Sequence, residues 1–194
     1  MHALPPSLRR NSRTMIFIDG ENLAIRYKDA LGGTPPPEHV SYEEDIYIWD
    51  TRLQPRYLNV IRKYYYTSCS ESRIIEIEEK LKSLEIEAPR VFKKPRGRGS
   101  KQVDISLATD MLTHAHRKNY DVAILVAGDA DYIPLVDAVM AEGACVVLWF
   151  IESGLSAALK RKADYYFDLG FILLEYDFHQ LGQKVAYELW WHYT

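Results

Sequence analysis

The chain has 194 residues, 47% of them hydrophobic and 26% charged, with a formal net charge of −3. That length bounds one domain large enough to bury a core, and so small a charge argues neither for nor against nucleic acid. Two cysteines, Cys69 and Cys145, exclude a disulfide framework and metal-knuckle spacing, and no apolar run is long enough to span a bilayer.

Residues 1–14 are polar and basic, with Pro5-Pro6 and no apolar signal core, and read as a flexible leader on a cytoplasmic protein with no membrane partner. Met15-Ile16-Phe17-Ile18 is a continuous apolar run ended by Asp19-Gly20, and residues 21–31 read as a short helix. Gly32-Gly33-Thr34-Pro35-Pro36-Pro37 cannot continue it, so residues 32–50 read as an inserted arm, with a short strand at 46–49. Pro55 opens a predicted helix over 55–61. The aromatics of 63–67 predict a strand, in which successive tyrosines alternate faces, so at least one of Tyr64, Tyr65 and Tyr66 is core and another is a candidate stacking platform for bases.

Residues 72–84 form an amphipathic helix on Ile74, Ile77, Leu81 and Leu84, and 88–92 a short strand. The one strongly basic segment, 93–101, sets Lys93, Lys94, Arg96, Arg98 and Lys101 among Pro95, Gly97 and Gly99. A helix over 103–116 precedes six apolar residues, 122–127, that read as a strand buried on both faces. Gly128-Asp129-Ala130-Asp131 follows, and 130–141 reads as a helix on Ile133, Val136, Val139 and Met140. A buried strand at 144–150, a helix over 153–162 and a strand at 165–167 complete the pattern. Strands alternating with helices predict an α/β fold with a mainly parallel central sheet. The domain spans 15–175; the extension 176–194 carries Trp190 and Trp191 and reads either as a docking helix or as a homodimer contact.

In a parallel sheet Asp19 and Asp129 end their strands on one edge, where open α/β sheets place ligand crevices. Asp131 stands at the start of the following helix, where it serves as an N-cap or as a further acid. On an ideal helix Ile105, Leu107, Ala108, Met111, Leu112 and Ala115 make the inward stripe; Asp104 falls inside it and Asp110 outside. An inward carboxylate there is a helix cap or a group that needs a cation. Acids gathered at one rim repel one another unless a pKa rises or a hard divalent ion such as Mg²⁺, which takes carboxylate and water oxygens, sits among them. No Cys or His cluster offers a zinc alternative, His114 and His116 read as surface, and no Ser-His-Asp order or nucleophile elbow is present.

Ile18-Asp19-Gly20-Glu21-Asn22-Leu23, Lys101-Gln102-Val103-Asp104 and Gly128-Asp129-Ala130-Asp131-Tyr132-Ile133-Pro134-Leu135 resemble, in order and spacing, the three motifs of the NYN domain, part of the wider PIN-like nuclease group. The resemblance spans residues 14–168. It implies a PIN-like three-layer α/β sandwich and metal-dependent hydrolysis of phosphodiester bonds, chiefly of RNA, with Asp19, Asp104, Asp129 and Asp131 lining the metal site and Asn22 orienting ligand or water. Gln102 stands where many members have Gly, and Tyr132 where many have Phe, a change of little expected consequence.

The expectation is therefore a ribonuclease using Mg²⁺ or Mn²⁺ on single-stranded RNA, with Asp19, Asp104, Asp129 and Asp131 as the catalytic set. Lys94, Arg96, Arg98 and Lys101 would contact substrate, since Gly-rich basic loops suit phosphates, and Asn22 would do so as the resemblance implies. The rival is a non-catalytic RNA-binding or protein-interaction module of the same fold. An aspartyl-nucleophile phosphatase is disfavoured because Glu21 stands where a second Asp is needed.

Overall fold

The computed structural model describes residues 11–53, 58–94 and 101–174. Six strands form one sheet in the order β5-β4-β1-β6-β7-β8, and every pairing is parallel. They are β1 (Arg13–Asp19), β4 (Asn59–Cys69), β5 (Ala88–Lys93), β6 (Val122–Val126), β7 (Cys145–Phe150) and β8 (Tyr165–Asp168). β2 (Ser41–Glu43) and β3 (Tyr47–Trp49) pair as an antiparallel hairpin outside that sheet. The helices are α1 (Gly20–Leu31), α2 (Ile74–Ser83), α3 (Lys101–His116), α4 (Ile133–Ala141), α5 (Ala157–Lys162) and α6 (Gly170–Leu173).

Alternation along each strand feeds two cores. Ile16 and Ile18 of β1 join Leu23 and Tyr27 of α1, Leu81 of α2, Trp49 of the hairpin and Ile172 of α6. Met15 and Phe17 point the other way, to Leu107 and Met111 of α3, Val136 of α4 and Leu159 of α5. Helices thus cover both faces, which is the three-layer sandwich the motifs imply. The arm is tied to the sheet by Tyr65, whose hydroxyl accepts from Ile48 N at 2.9 Å and donates to Ile48 O at 3.0 Å. Tyr64, Tyr65 and Tyr66 are all buried, which removes the stacking platform.

Residues 59–61 lie in β4, not in a helix; Asn59 and Val60 pair with Arg13 and Thr14 of β1, and sheet pairing overrides local preference. Pro55 lies outside the described residues, as do the extension 176–194 and residues 1–10 of the leader. The helix expected over 130–141 begins with one tight turn, Ala130–Tyr132, before α4, and that over 153–162 is broken into a turn at Glu152–Gly154 and α5.

Strand order sets the position of the crevice. After β1 the chain crosses to β4 and β5 on one side, then returns to β6, β7 and β8 on the other. That reversal, at the carboxyl ends of β1 and β6, is the switch point where such sheets bind ligands.

Candidate active site

Asp19 closes β1 and caps α1: its Oδ1 accepts from Asn22 N at 3.1 Å. Gly20 follows because a Cβ there would lie 1.9 Å from the Tyr65 ring, and Gly128 precedes Asp129 because a Cβ there would lie 2.2 Å from Phe150. These two close approaches fix both acids at the sheet edge. The side chain of Asn22 spans the gap between the strands. Its Oδ1 accepts from Gly128 N at 3.1 Å, which turns its Nδ2 to donate to Asp129 Oδ2 at 2.8 Å.

Asp104 completes the group from α3. The buried stripe of that helix is Val103, Leu107, Met111 and Ala115, whereas Ile105 and Leu112 are exposed. The expected inward stripe is thus rotated: α3 seats one narrow i, i+4 row on the sheet and turns Ile105 and Leu112 towards α4. Asp104 is exposed at the edge of that row, and its Oδ1 accepts from the Tyr132 hydroxyl at 3.3 Å. The same hydroxyl donates to Asp19 Oδ2 at 2.8 Å. Tyr132, expected to matter little, is the hinge of the acid group. Asp110 lies outside, accepting from the Tyr66 hydroxyl at 2.9 Å with Arg90 at 3.8 Å.

Two adjoining clefts share Asp104 and Asp129. One of about 170 Å³ includes Asp19, Glu21 and Asn22; the other, about 470 Å³, opens between α3 and α4 over Ile105, Leu112, Tyr132 and Leu135, with Asp131 at its mouth. Glu21 is a site residue that motif reading passed over. Its side chain accepts from Ser68 Oγ at 2.8 Å and lies 3.5 Å from Lys94 Nζ, which brings one residue of the basic segment to the crevice. Lys101, at the start of α3, is exposed one turn before Asp104, and Arg96 and Arg98 lie outside the described residues. His114, expected at the surface, is half-buried against Tyr64, with which it shares a 2.9 Å hydrogen bond.

Burial pushes Asp19 up to about 7, against the pull of the Asn22 amide and the Tyr132 hydroxyl, and the charges of Asp104 and Asp129 add to the rise. Asp104 is also raised, first by desolvation and then by Asp129, Glu21 and Asp131. Desolvation and those two carboxylates push Tyr132 far above an ordinary phenol. Among the described residues no lysine or arginine pairs with Asp19, Asp104, Asp129 or Asp131.

The donor set is all oxygen and anionic, the chemistry that Mg²⁺ or Mn²⁺ takes. In their present positions, however, no three Asp, Glu, His or Cys side chains among the described residues could hold one ion. Two of the carboxylates share a phenol instead.

The NYN domain family matches residues 13–173, nearly the whole of the described fold. The chain belongs to the NYN family. NYN domains fall in the PIN-like superfamily and are nuclease-like as a group, which agrees with the three motifs and with a parallel sheet covered on both faces. A protein of unknown function from Vibrio parahaemolyticus is similar in structure, with a TM-score of 0.58 over 86% of this chain and 96% of that one. At 18% identity that likeness is one of fold alone. No curated protein matches the sequence. No helix among the described residues is long and apolar enough to cross a membrane.

Proposed function

We propose that this NYN protein is a ribonuclease that hydrolyses phosphodiester bonds of single-stranded RNA with Mg²⁺ or Mn²⁺. The observation that carries the reading is Asp19: a carboxylate 3% exposed, at the switch point of the sheet, hydrogen-bonded through one hydroxyl to Asp104 and through Asn22 to Asp129, with no cation paired to it among the described residues. Uncompensated buried charge is expensive, so a buried acid linked in this way to two others has a use for a counter-ion.

Asp19, Asp104 and Asp129 would hold the ion after their side chains move from their present positions, with Asp131 of the larger cleft set to assist. A bound Mg²⁺ or Mn²⁺ supplies a more acidic water and neutralises charge building on the phosphate. Asn22 fixes the rotamer of Asp129 while Gly128 N fixes Asn22, so that acid is held ready before substrate arrives. Lys94, which pairs with Glu21 of the smaller cleft, and Lys101, one turn before Asp104, would meet the phosphates on either side of the one cleaved.

The failure of three carboxylates to converge favours a second reading, a non-catalytic RNA- or protein-binding module. One assay separates the two. Single-stranded RNA with protein and Mn²⁺ is expected to be cleaved, and cleavage is expected to stop with Asp129→Asn and with chelator. Equal cleavage by protein and variant would mean contamination and sink the enzyme; no cleavage with retained RNA binding would establish the module.

A further inference from the structure

Tyr132 is one residue past Asp131 and 5% exposed, its ring seated in the core under α3 and α4. Only its hydroxyl reaches the acids, 2.8 Å from Asp19 and 3.3 Å from Asp104. A phenol has one proton to donate. It cannot satisfy both carboxylates fully, and the shorter contact goes to the buried one. The backbone holds the ring in place: Tyr132 N donates to Asp129 O at 3.2 Å, and α4 begins at the next residue. Both oxygens of Asp19 are engaged, Oδ1 by the Asn22 amide and Oδ2 by this hydroxyl, so an ion held by Asp19 would compete with the phenol for it.

We propose that Tyr132 is a latch on the acid pair: its hydroxyl ties Asp19 to Asp104, and a metal ion taken up by these acids would have to release that tie. The proposal rests on the metal-dependent reading above, and deepens it by naming the residue that sets how readily the site fills. The latch serves two ends. Without metal, one neutral donor between two acids limits their repulsion. With metal, the lost hydrogen bonds are subtracted from the binding free energy, so the site loads only at higher metal concentration than the same acids with Phe at 132.

The opposite role is physically distinct. If the hydroxyl kept its bond to Asp19 while the ion used other lone pairs, it would be an outer support of the kind whose loss weakens metal binding tenfold to a hundredfold. Tyr132→Phe keeps the ring and deletes one oxygen, so it separates the two by sign. Mn²⁺ binding is measured by titration calorimetry and by the Mn²⁺ electron paramagnetic resonance signal on wild type, Tyr132→Phe and the non-binding control Asp19→Asn. The latch predicts Mn²⁺ held about tenfold more tightly by Tyr132→Phe, as expected for releasing a hydrogen bond to a charged acceptor. It also predicts a lower melting temperature for that variant without metal and a larger upward shift on adding Mn²⁺. Weaker or unchanged affinity in Tyr132→Phe overturns the latch, as does absence of binding to both proteins. These outcomes leave the RNA reading to its own assay: wild-type cleavage with unchanged Mn²⁺ affinity in the variant removes the latch alone, and tighter Mn²⁺ without cleavage in any protein removes the ribonuclease alone.

Discussion

Asp19 and Asp50 are the two buried aspartates among the described residues, 3% and 1% exposed, and the protein treats them in opposite ways. Asp50 lies just beyond β3, where the arm turns back towards the sheet. It accepts from Arg52 N and Nε, both at 2.8 Å, with the same guanidinium at 2.7 Å as an ion pair and His39 at 3.5 Å. Arg52 then donates to Ile172 O at 3.2 Å, pinning the arm to α6. Among the described residues Asp19 receives only a backbone amide and a phenol, and it faces two more acids. A buried acid with its own arginine is a fastening. A buried acid surrounded by neutral donors and like charges is a candidate place for a ligand.

The widest break between them comes from substitution. Asp19→Asn is isosteric and still caps α1, so the metal-free protein should become more stable at pH 8 by about 1–2 kcal/mol as an unbalanced buried charge disappears. RNA cleavage should fall at least about a hundredfold, the scale of several kcal/mol of lost charge stabilisation. Asp50→Ala should do the reverse: a loss of about 2 kcal/mol, below the usual cost of breaking a buried pair because Arg52 stays half in water, with cleavage per folded molecule unchanged. Urea unfolding of both variants reads the stabilities. Destabilisation by Asp19→Asn equal to that of Asp50→Ala would erase the distinction.

The comparison is sharpened by pH. Asp19 titrates near 7 in the folded protein and near about 3.9 in the unfolded chain. Between those values the folded state keeps a proton that the unfolded state has given up, so raising pH favours unfolding. The stabilisation is fully present below pH 4, falls by up to about 1.4 kcal/mol per unit as pH rises, and is gone above 7. Other carboxylates act in the opposite sense: Asp121, held down by Arg13, stabilises above its own range. The difference between wild type and Asp19→Asn isolates the term. That difference should slope between pH 4 and 7 and be flat above; parallel profiles would mean that Asp19 ionises as an ordinary surface acid.

How much of this was legible follows from what each residue's neighbours in sequence reveal. An apolar run ended by an acid and a glycine marks a strand terminus, so the sequence alone puts Asp19 and Asp129 on one edge. The parallel sheet was legible for the same reason, since strands and helices alternate in period as well as in order, whereas the three-layer sandwich came from the resemblance to the NYN motifs. The face of α3 was not, because helix periodicity cannot say whether an apolar side chain meets the sheet or an open cleft, and Ile105 and Leu112 do the latter. Nor was Tyr132: an aromatic after an acid reads as core, its ring is core, and only the strand geometry at Asp19 reveals where its hydroxyl arrives. Glu21 was hidden beside a stronger motif residue. Asp50 had no signal, since its partners come from 39, from 52 and, through the arginine, from 172.

Lys94 tests the smallest difference, that between a charge that fastens and one that binds. In the free protein it pairs with Glu21 at 3.5 Å and is 42% exposed, a contact worth little by itself. If its part is to meet a phosphate, exchanging Glu21 for RNA releases a counter-ion. Lys94→Ala in an Asp129→Asn background, which binds without cleaving, should then lower affinity a few-fold and reduce the slope of log K against log salt by about 0.7, one phosphate contact on a single strand. Stability should change by less than about 0.5 kcal/mol. An unchanged slope with unchanged affinity would make Lys94 a local partner for Glu21, doing at the rim of the crevice what Arg52 does for Asp50 in the arm.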